Sequence, residues 1–573
     1  MDGYEAIVIG SGFGGAINAC RLAKRWPGKV LVLERGKRYP MGSFPRTPHD
    51  MARNFWNLPY EQHPRPRRIP DDAEAHGMFD IRNYRRMDVV LSAGLGGGSL
   101  IYANVFLEPP DQVFDDRWPQ TCKKQDLVPY YRVAKEVLGS RPIPVTGDPR
   151  RRVIRTELFE RIARSMGRSS ELVDVNVFFG NDHEDPLPIG HQVPNRYGAL
   201  QTSCVYSGEC DIGCNTHSKN TLDLNYLHVA QDRYDARVLT ERLVDRIVPL
   251  DGDGREDPGG DGAHGYRVFY RDLTTSGHPV IADDTRRVVV AAGALGSTEL
   301  LLRCRDVHRT LPRLSPSLGT RFSGNGDFLC FAVEGKDAAD PNYGPVITQR
   351  IDFGLFEGFD PESAFVMEDA SYPALLAWFV EGVEPRFLRL PAVWKAFVAV
   401  VRRYLMGQEL GSVGYALGDL LSGDLSYRTS VLLCMGLDKS NGVMSLDRQG
   451  CVSVDWPMDE SMPLYTAIVD ASRRFARTAG AKRFFVLPTW YRPLRKNVSV
   501  HPLGGCVLAD DLSTGVVSAR RDAFGQVFGY EGLYVSDGSI VPTAVGANPS
   551  ATISALSEMV AEGITGTPPD AGL

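Results

Sequence analysis

The amino-acid sequence predicts an α/β fold: a parallel sheet flanked by helices, interleaved along the chain with an α+β region that contains antiparallel strands. Three observations predict it. Residues 7–9 read as a buried strand, 10–15 as a glycine turn, 16–25 as a helix and 30–33 as a second apolar strand ending at Glu34, together a βαβ unit. Apolar strand runs return at 236–239, 288–291 and 532–536, the last followed by a helical stretch at 550–562. Between these, residues 326–494 change character, mixing alternating strand patterns (430–435, 442–446, 451–454) with aromatic helices.

The elements connect as follows. Residues 40–70, rich in Pro and Arg and carrying Phe55 and Trp56, read as a long surface excursion, either a lid or a plain connection. Residues 251–265 are Gly/Asp-rich and read as an exposed hairpin tip. In the middle block, residues 394–406 form a helix whose Trp394, Phe397, Val398, Val401 and Leu405 share one face.

Composition narrows the function classes. At 573 residues the chain is long enough for more than one domain, and 43% hydrophobic with 23% charged residues is ordinary for a globular protein. A net charge of -6 argues against a nucleic-acid partner, which calls for a concentrated basic surface. No charged leader precedes the strand at the N-terminus, and no apolar run reaches the roughly 18–20 residues of a membrane span, so a cytoplasmic protein is expected. The ten cysteines form no disulfide-scaffold pattern, and most are expected to be reduced and buried.

Gly10-Ser11-Gly12-Phe13-Gly14-Gly15 matches G-x-G-x-x-G. Gly10 permits the tight turn, Gly12 lets backbone approach a pyrophosphate, and Gly15 lets the helix pack on the strand. The helix N-terminus then offers free N–H groups to phosphates. Glu34 can accept hydrogen bonds from both ribose hydroxyls and repels a 2′-phosphate. In this context the motif predicts a bound dinucleotide. A second glycine run, Gly94 to Ser99, can bring backbone amides against a flat or anionic ligand, and small residues between the strand at 288–291 and a helix expected at 298–303 leave room beside the sheet. Asp537 lies just past a strand's carboxyl end, where α/β ligands sit.

These segments, with His501-Pro502-Leu503-Gly504-Gly505-Cys506 and Gly546-Ala547-Asn548-Pro549-Ser550, resemble the glucose–methanol–choline family of FAD oxidoreductases, most closely its cholesterol oxidase branch. The resemblance implies a Rossmann-like FAD-binding domain (residues 1–45, 88–108, 215–325 and 497–573) interleaved with a substrate-binding domain and lid segments (46–87, 109–214 and 326–496). It implies non-covalent FAD, with Gly10, Gly12 and Gly15 at the pyrophosphate, Glu34 at the ribose and Val244 at the adenine. Gly97, Gly98, Ser99 and Asn104 would lie along the flavin, Gly293 and Asp537 near the phosphates or ribityl chain, and Asn548 and Pro549 beside the isoalloxazine.

By the same resemblance His501 and Asn548 handle the hydroxyl of an alcohol while its carbon gives hydride to flavin N5. An imidazole can share a proton near neutral pH, and an amide can orient the hydroxyl. Whether His501 is base or hydrogen-bond donor stays open. Glu368 resembles the active-site glutamate of cholesterol oxidases, which moves a proton between substrate carbons; the alternative is a surface carboxylate. Where those enzymes carry Asn-Gly-Gly-Met after the glycine run, this chain has Tyr102-Ala103-Asn104-Val105, which puts sterol specificity in question.

Cys204, Cys210 and Cys214 read as buried thiols in a compact turn or a local disulfide, with zinc through His217 the less favoured alternative; no metal is expected. The apolar stretch 375–405 is either core and pocket wall or a peripheral membrane contact. The expected partners are a bulky, lipophilic alcohol and oxygen or another electron acceptor. The rival readings are a lyase or decarboxylase on the same scaffold, an oxidoreductase of glycosides or sugars, and a non-catalytic flavin-binding protein.

Overall fold

The computed structural model describes residues 3–56, 76–181, 185–377 and 424–573, with a few positions between 394 and 406. Of the expected helix at 394–406, positions 394, 397, 398, 401, 402, 404 and 405 are described and helical, with Trp394, Phe397, Val398 and Leu405 of its apolar face exposed. Most of the remaining apolar stretch 375–405 and residues 57–75 of the Pro/Arg-rich excursion lie outside the described residues.

A mixed sheet carries the first layer. Its parallel part runs Arg237–Leu239, Val30–Leu33, Tyr4–Ile9 and then the long strand Val280–Val290. That long strand is shared. Its first half pairs antiparallel with Tyr266–Asp272, which pairs in turn with Arg242–Pro249, and residues 251–265 form the connecting hairpin tip. Its last residues, Val288 to Val290, pair parallel with Leu533–Val535. The parallel strands are continuous Val/Ile/Leu runs because helices cover them and both faces are dry.

Helix Phe13–Arg25 covers this sheet beside helices Ser550–Thr565 and Tyr226–Asp232. Among these helices Arg21 forms a buried ion pair with Glu558 at 2.8 Å, and Tyr226 donates to the same carboxylate at 2.7 Å. The helix expected from residue 298 begins earlier, as Gly293–Leu302. Its small residues are its first turn rather than a strand tail: Ser297 Oγ reaches back to accept from Ala292 N at 2.9 Å. A short helix, Pro48–Arg53, also interrupts the excursion read as irregular, because Thr47 caps it by accepting from Asp50 N at 3.1 Å and Pro48 suits its first turn.

The second sheet is antiparallel throughout, in the order Arg483–Val486, Phe328–Val333, Ser430–Gly436, Phe365–Ala370, Ile347–Phe353 and Glu171–Leu172. Strand alternation sorts its side chains. Cys330, Ile351, Met367, Leu432 and Cys434 pack toward helices Ile154–Ser165 and Met462–Thr478. Leu329, Phe331, Ile347, Ala370, Val431 and Leu433 face a cavity between the two sheets.

Close backbone approach joins the first helix to the last strand. A Cβ on Gly14 would stand 1.4 Å from the Ser536 carbonyl oxygen, and one on Gly15 2.0 Å from that of Gly10. Gly10 itself has a φ of 96°, a conformation that suits glycine. Gly14→Ala should therefore lower the thermal midpoint by roughly 5 °C or more, because backbone must give way. Gly147→Ala, where a Cβ meets nothing within 4 Å, should leave it within about 1 °C in the same melt.

Candidate functional site

The carboxyl ends of the parallel strands converge on one cavity of about 1070 Å³. Gly10, Glu34, Ala291 and Asp537, the residues that follow those strands or come just after, all line it. From Glu34 and Val244 the cavity passes the glycine turn and Gly97, Gly98, Gly293 and Asn104, and reaches His501, Asn548 and Pro549. Beyond them it opens on the apolar face of the second sheet.

Local chemistry shapes the nucleotide half. Gly12, the N-cap of the first helix, makes no side-chain cap bond, so the helix's first N–H groups meet the cavity. The two glycine runs touch, with Gly12 near Gly97, whose added Cβ would lie 2.5 Å from the Gly12 Cα. Glu34 holds this turn. It accepts from the Ser11 amide at 3.0 Å, from the Ser11 hydroxyl, and from Gly36 N at 2.8 Å. Burial raises its pKa against those bonds. Asp537 accepts from Gly293 N at 2.9 Å, from Ser539 N at 2.8 Å and from the Ser297 hydroxyl, so it joins the start of one helix to the end of a strand. Burial raises its pKa as well.

Three expected residues sit beside the cavity rather than in its wall: Gly15, Ser99 and Glu368, the last behind Asn548. Gly15 packs the helix on the strand. Ser99 turns its hydroxyl to Gly96 O at 2.7 Å and Leu222 N at 3.1 Å, tying down the second glycine run.

At the far end His501 Nδ1 donates to Asp327 at 2.8 Å. Asn548, buried in the cavity wall, donates from Nδ2 to Glu368 Oε2 at 3.3 Å. Glu368 is no surface carboxylate. It is fully buried on the cavity-facing side of its strand, opposite Leu433, and burial pushes its carboxyl up to about 8 despite the Asn548 bond. Among the described residues Glu368 Oε1 and Asn548 Oδ1 have no partner.

Several residues of this site carried no signal in the sequence. Asp327 and Asn325 lie in a Ser-Gly-Asn-Gly-Asp stretch that reads only as a turn. Lys219, buried, donates to the carbonyls of Leu100 at 2.7 Å, Tyr102 at 3.2 Å and Cys210 at 2.8 Å, and burial lowers it to about 8. It fixes the segment where this chain departs from the cholesterol oxidases. There Tyr102 lines the cavity, and its hydroxyl donates to Asn220 O at 3.0 Å.

All ten cysteines are free, which corrects the local-disulfide reading of Cys204, Cys210 and Cys214: the turn holds thiols. Burial raises Cys210 to about 11. Among the described residues no group of three or more His, Cys, Asp and Glu is placed to hold a metal ion, and no helix is long and apolar enough to cross a membrane.

A Gly-lined turn, a bare helix N-terminus and a cavity running on to a histidine and an amide define a dinucleotide-dependent oxidoreductase site. Residues 4–305 and 452–557 match the N- and C-terminal parts of the GMC oxidoreductase family, and the chain belongs to that family of FAD-dependent oxidoreductases. Cholesterol oxidase of Acinetobacter baumannii is 28% identical over 97% of this chain and 93% of its own. A long-chain-alcohol oxidase of Arabidopsis thaliana is 24% identical over 98% of this chain and 67% of its own. The crystal structure of pyridoxine 4-oxidase from Mesorbium loti covers 98% of each chain with a TM-score of 0.58 at 14% identity, which extends the likeness to the fold.

Glu34→Gln places an amide where the carboxylate now meets two backbone N–H groups. We expect FAD binding to weaken by about 10- to 100-fold, read as a lower ratio of flavin to protein absorbance after dialysis and by titration of the apoprotein.

Proposed function

We propose that the protein oxidises the CH–OH group of a bulky, lipophilic alcohol of sterol-like size. The observation that carries this is the position of His501 and Asn548, where the nucleotide half of the cavity opens on an apolar sheet face. Leu329, Phe331, Ile347, Val431 and Leu433 on that face suit a hydrocarbon frame better than a sugar. Two of the relatives, named for cholesterol and for long-chain alcohols, support the same substrate class.

Gly10, Gly12 and the first helix would hold the pyrophosphate of FAD, Glu34 and Val244 the adenosine, and Gly97, Gly98, Asn104, Gly293, Asp537 and Pro549 the remainder. When bound, FAD supplies the acceptor for the hydride that leaves the carbinol carbon, and oxygen or another acceptor takes the electrons onward. His501 takes the hydroxyl proton, and the Asn548 amide aims the hydroxyl. The apolar wall keeps water from the reacting carbon. Glu368, held to Asn548 and raised by burial to about 8, would in its carboxylate form take a proton from the carbon beside the new ketone and, once neutral, return it to another carbon.

Anaerobic mixing with a panel of sterols, long-chain alcohols and glycosides should bleach the flavin with members of the first two groups; bleaching by glycosides alone would overturn the reading. His501→Ala should retain its flavin yet bleach about 10²–10⁴-fold more slowly.

Glu368 also gives a pH signature. Between its ordinary pKa of 4.5 and its raised value of about 8, the folded protein keeps a proton that the unfolded chain releases. Stability therefore declines as pH rises through that window. Glu368→Gln removes this contribution, so the variant should gain thermal stability relative to the parent as pH rises from about 5 to about 8. An unchanged difference in melting temperature across that range would show that Glu368 is not held neutral.

A further inference from the structure

His501 and Asn548 come from segments far apart in the chain, yet both are tied to one turn, residues 323–327. Asp327, buried, uses one carboxylate oxygen to accept from His501 Nδ1 at 2.8 Å. Its other oxygen accepts from Ser499 Oγ and from Val500 N, each at 2.9 Å. The His501 amide donates to the same Ser499 hydroxyl at 3.1 Å, so ring and backbone are fixed together.

Two residues earlier, Asn325 is fully buried with a φ of 56°. Its Oδ1 accepts from Val545 N at 2.9 Å and Gly546 N at 3.0 Å, and its Nδ2 donates to Ala547 O at 2.8 Å. One amide thus binds the backbone of the three residues before Asn548. The turn is seated on Asp438, which accepts from Ser323 Oγ at 2.8 Å, Gly324 N at 2.9 Å and Gly326 N at 3.1 Å.

A carboxylate offers only acceptors, so His501 Nδ1 must carry the hydrogen that lies between them. The lone pair of a neutral ring then sits on Nε2, which leaves that nitrogen as the only one able to receive a proton. Resting on the alcohol-oxidation reading above, we propose that the 323–327 turn is the positioning element of the active site. Asp327 holds His501 in the tautomer whose Nε2 is the base, and Asn325 sets the backbone that aims the Asn548 amide at the same hydroxyl. Neither touches substrate; both act through the residues that do. In the step they serve, the O–H bond breaks, its proton passes to Nε2, the C–O π bond forms, and the carbinol hydrogen leaves with its electron pair to the flavin.

The test uses flavin-loaded enzyme, anaerobic stopped-flow bleaching by cholesterol or 1-dodecanol, and variants made in two backgrounds. Asp327→Asn should slow bleaching on the order of 10²–10⁴-fold, with flavin content retained and half-saturating substrate changed less than about threefold. In a His501→Ala background the same substitution should slow it less than about threefold further, because the residue acts only through the imidazole. Asn325→Asp, which keeps the acceptor oxygen and loses the donor to Ala547, should slow bleaching about tenfold alone and have little effect in an Asn548→Ala background. It serves as the independent variant if Asp327→Asn does not fold. Equal losses in both backgrounds, or an Asp327→Asn enzyme within threefold of the parent while His501→Ala is slow, overturn the inference and leave the alcohol reading standing. A fully active His501→Ala enzyme overturns both.

Discussion

The architecture depends on a contact that admits no side chain: the start of the first helix against the carbonyl of Ser536. Gly14 meets that oxygen at a distance no Cβ could tolerate, and Asn18 on the same helix donates to Ser536 Oγ at 2.8 Å and to Gly14 O at 2.9 Å. Because the helix can come this close, the strand ends at Ile9, Val290 and Val535 lie side by side, and the residues after them share one cavity. Asp537 follows from the same approach, since the residue beyond Ser536 is delivered to Gly293 N and Ser297.

Within the cavity, polar and apolar surfaces are kept apart. The nucleotide half offers backbone N–H groups, and the oxygens of its Glu34 and Asp537 carboxylates are already engaged by turns. The opposite half is a sheet face of aliphatic and aromatic side chains, which favours apolar ligand surface because it removes that surface from water. Buried groups without a partner are expensive, and natural structures keep few of them. Among the described residues Glu368 Oε1 and Asn548 Oδ1 lack partners near where the halves meet, and Asn548 lines the cavity there, where a ligand hydroxyl would satisfy its oxygen.

How much of this was legible beforehand depends on how local the determinants are. The βαβ opening and Glu34 are readable because spacing, glycines and an acid fall within one short stretch and obey strand and helix periods. The alternating strands at 430–435 and 451–454 are readable for the same reason. His501, Asn548 and Glu368 stood out only through a family resemblance, since a histidine or asparagine in a loop carries no period. Asp327 was invisible: 174 residues separate it from the imidazole it holds, and its stretch reads as an ordinary turn. The start of the helix Gly293–Leu302 was misplaced because its first turn is built of small residues with no side-chain cap; Ser297, inside the helix, accepts from Ala292 N instead.

The sharing of strand Val280–Val290 has a consequence for biosynthesis. Its partners on the two sides come from the first ten residues and from residues 533–535, so the sheet is not complete until the end of the chain is available. A ribosome that has made five-sixths of the protein has already exposed the glycine turn and the helix behind it, with Ser536, Asp537 and Asn548 still to be added. The cavity wall is complete only once residues 533–550 have been made, and until then a nascent chain must keep an apolar strand edge covered.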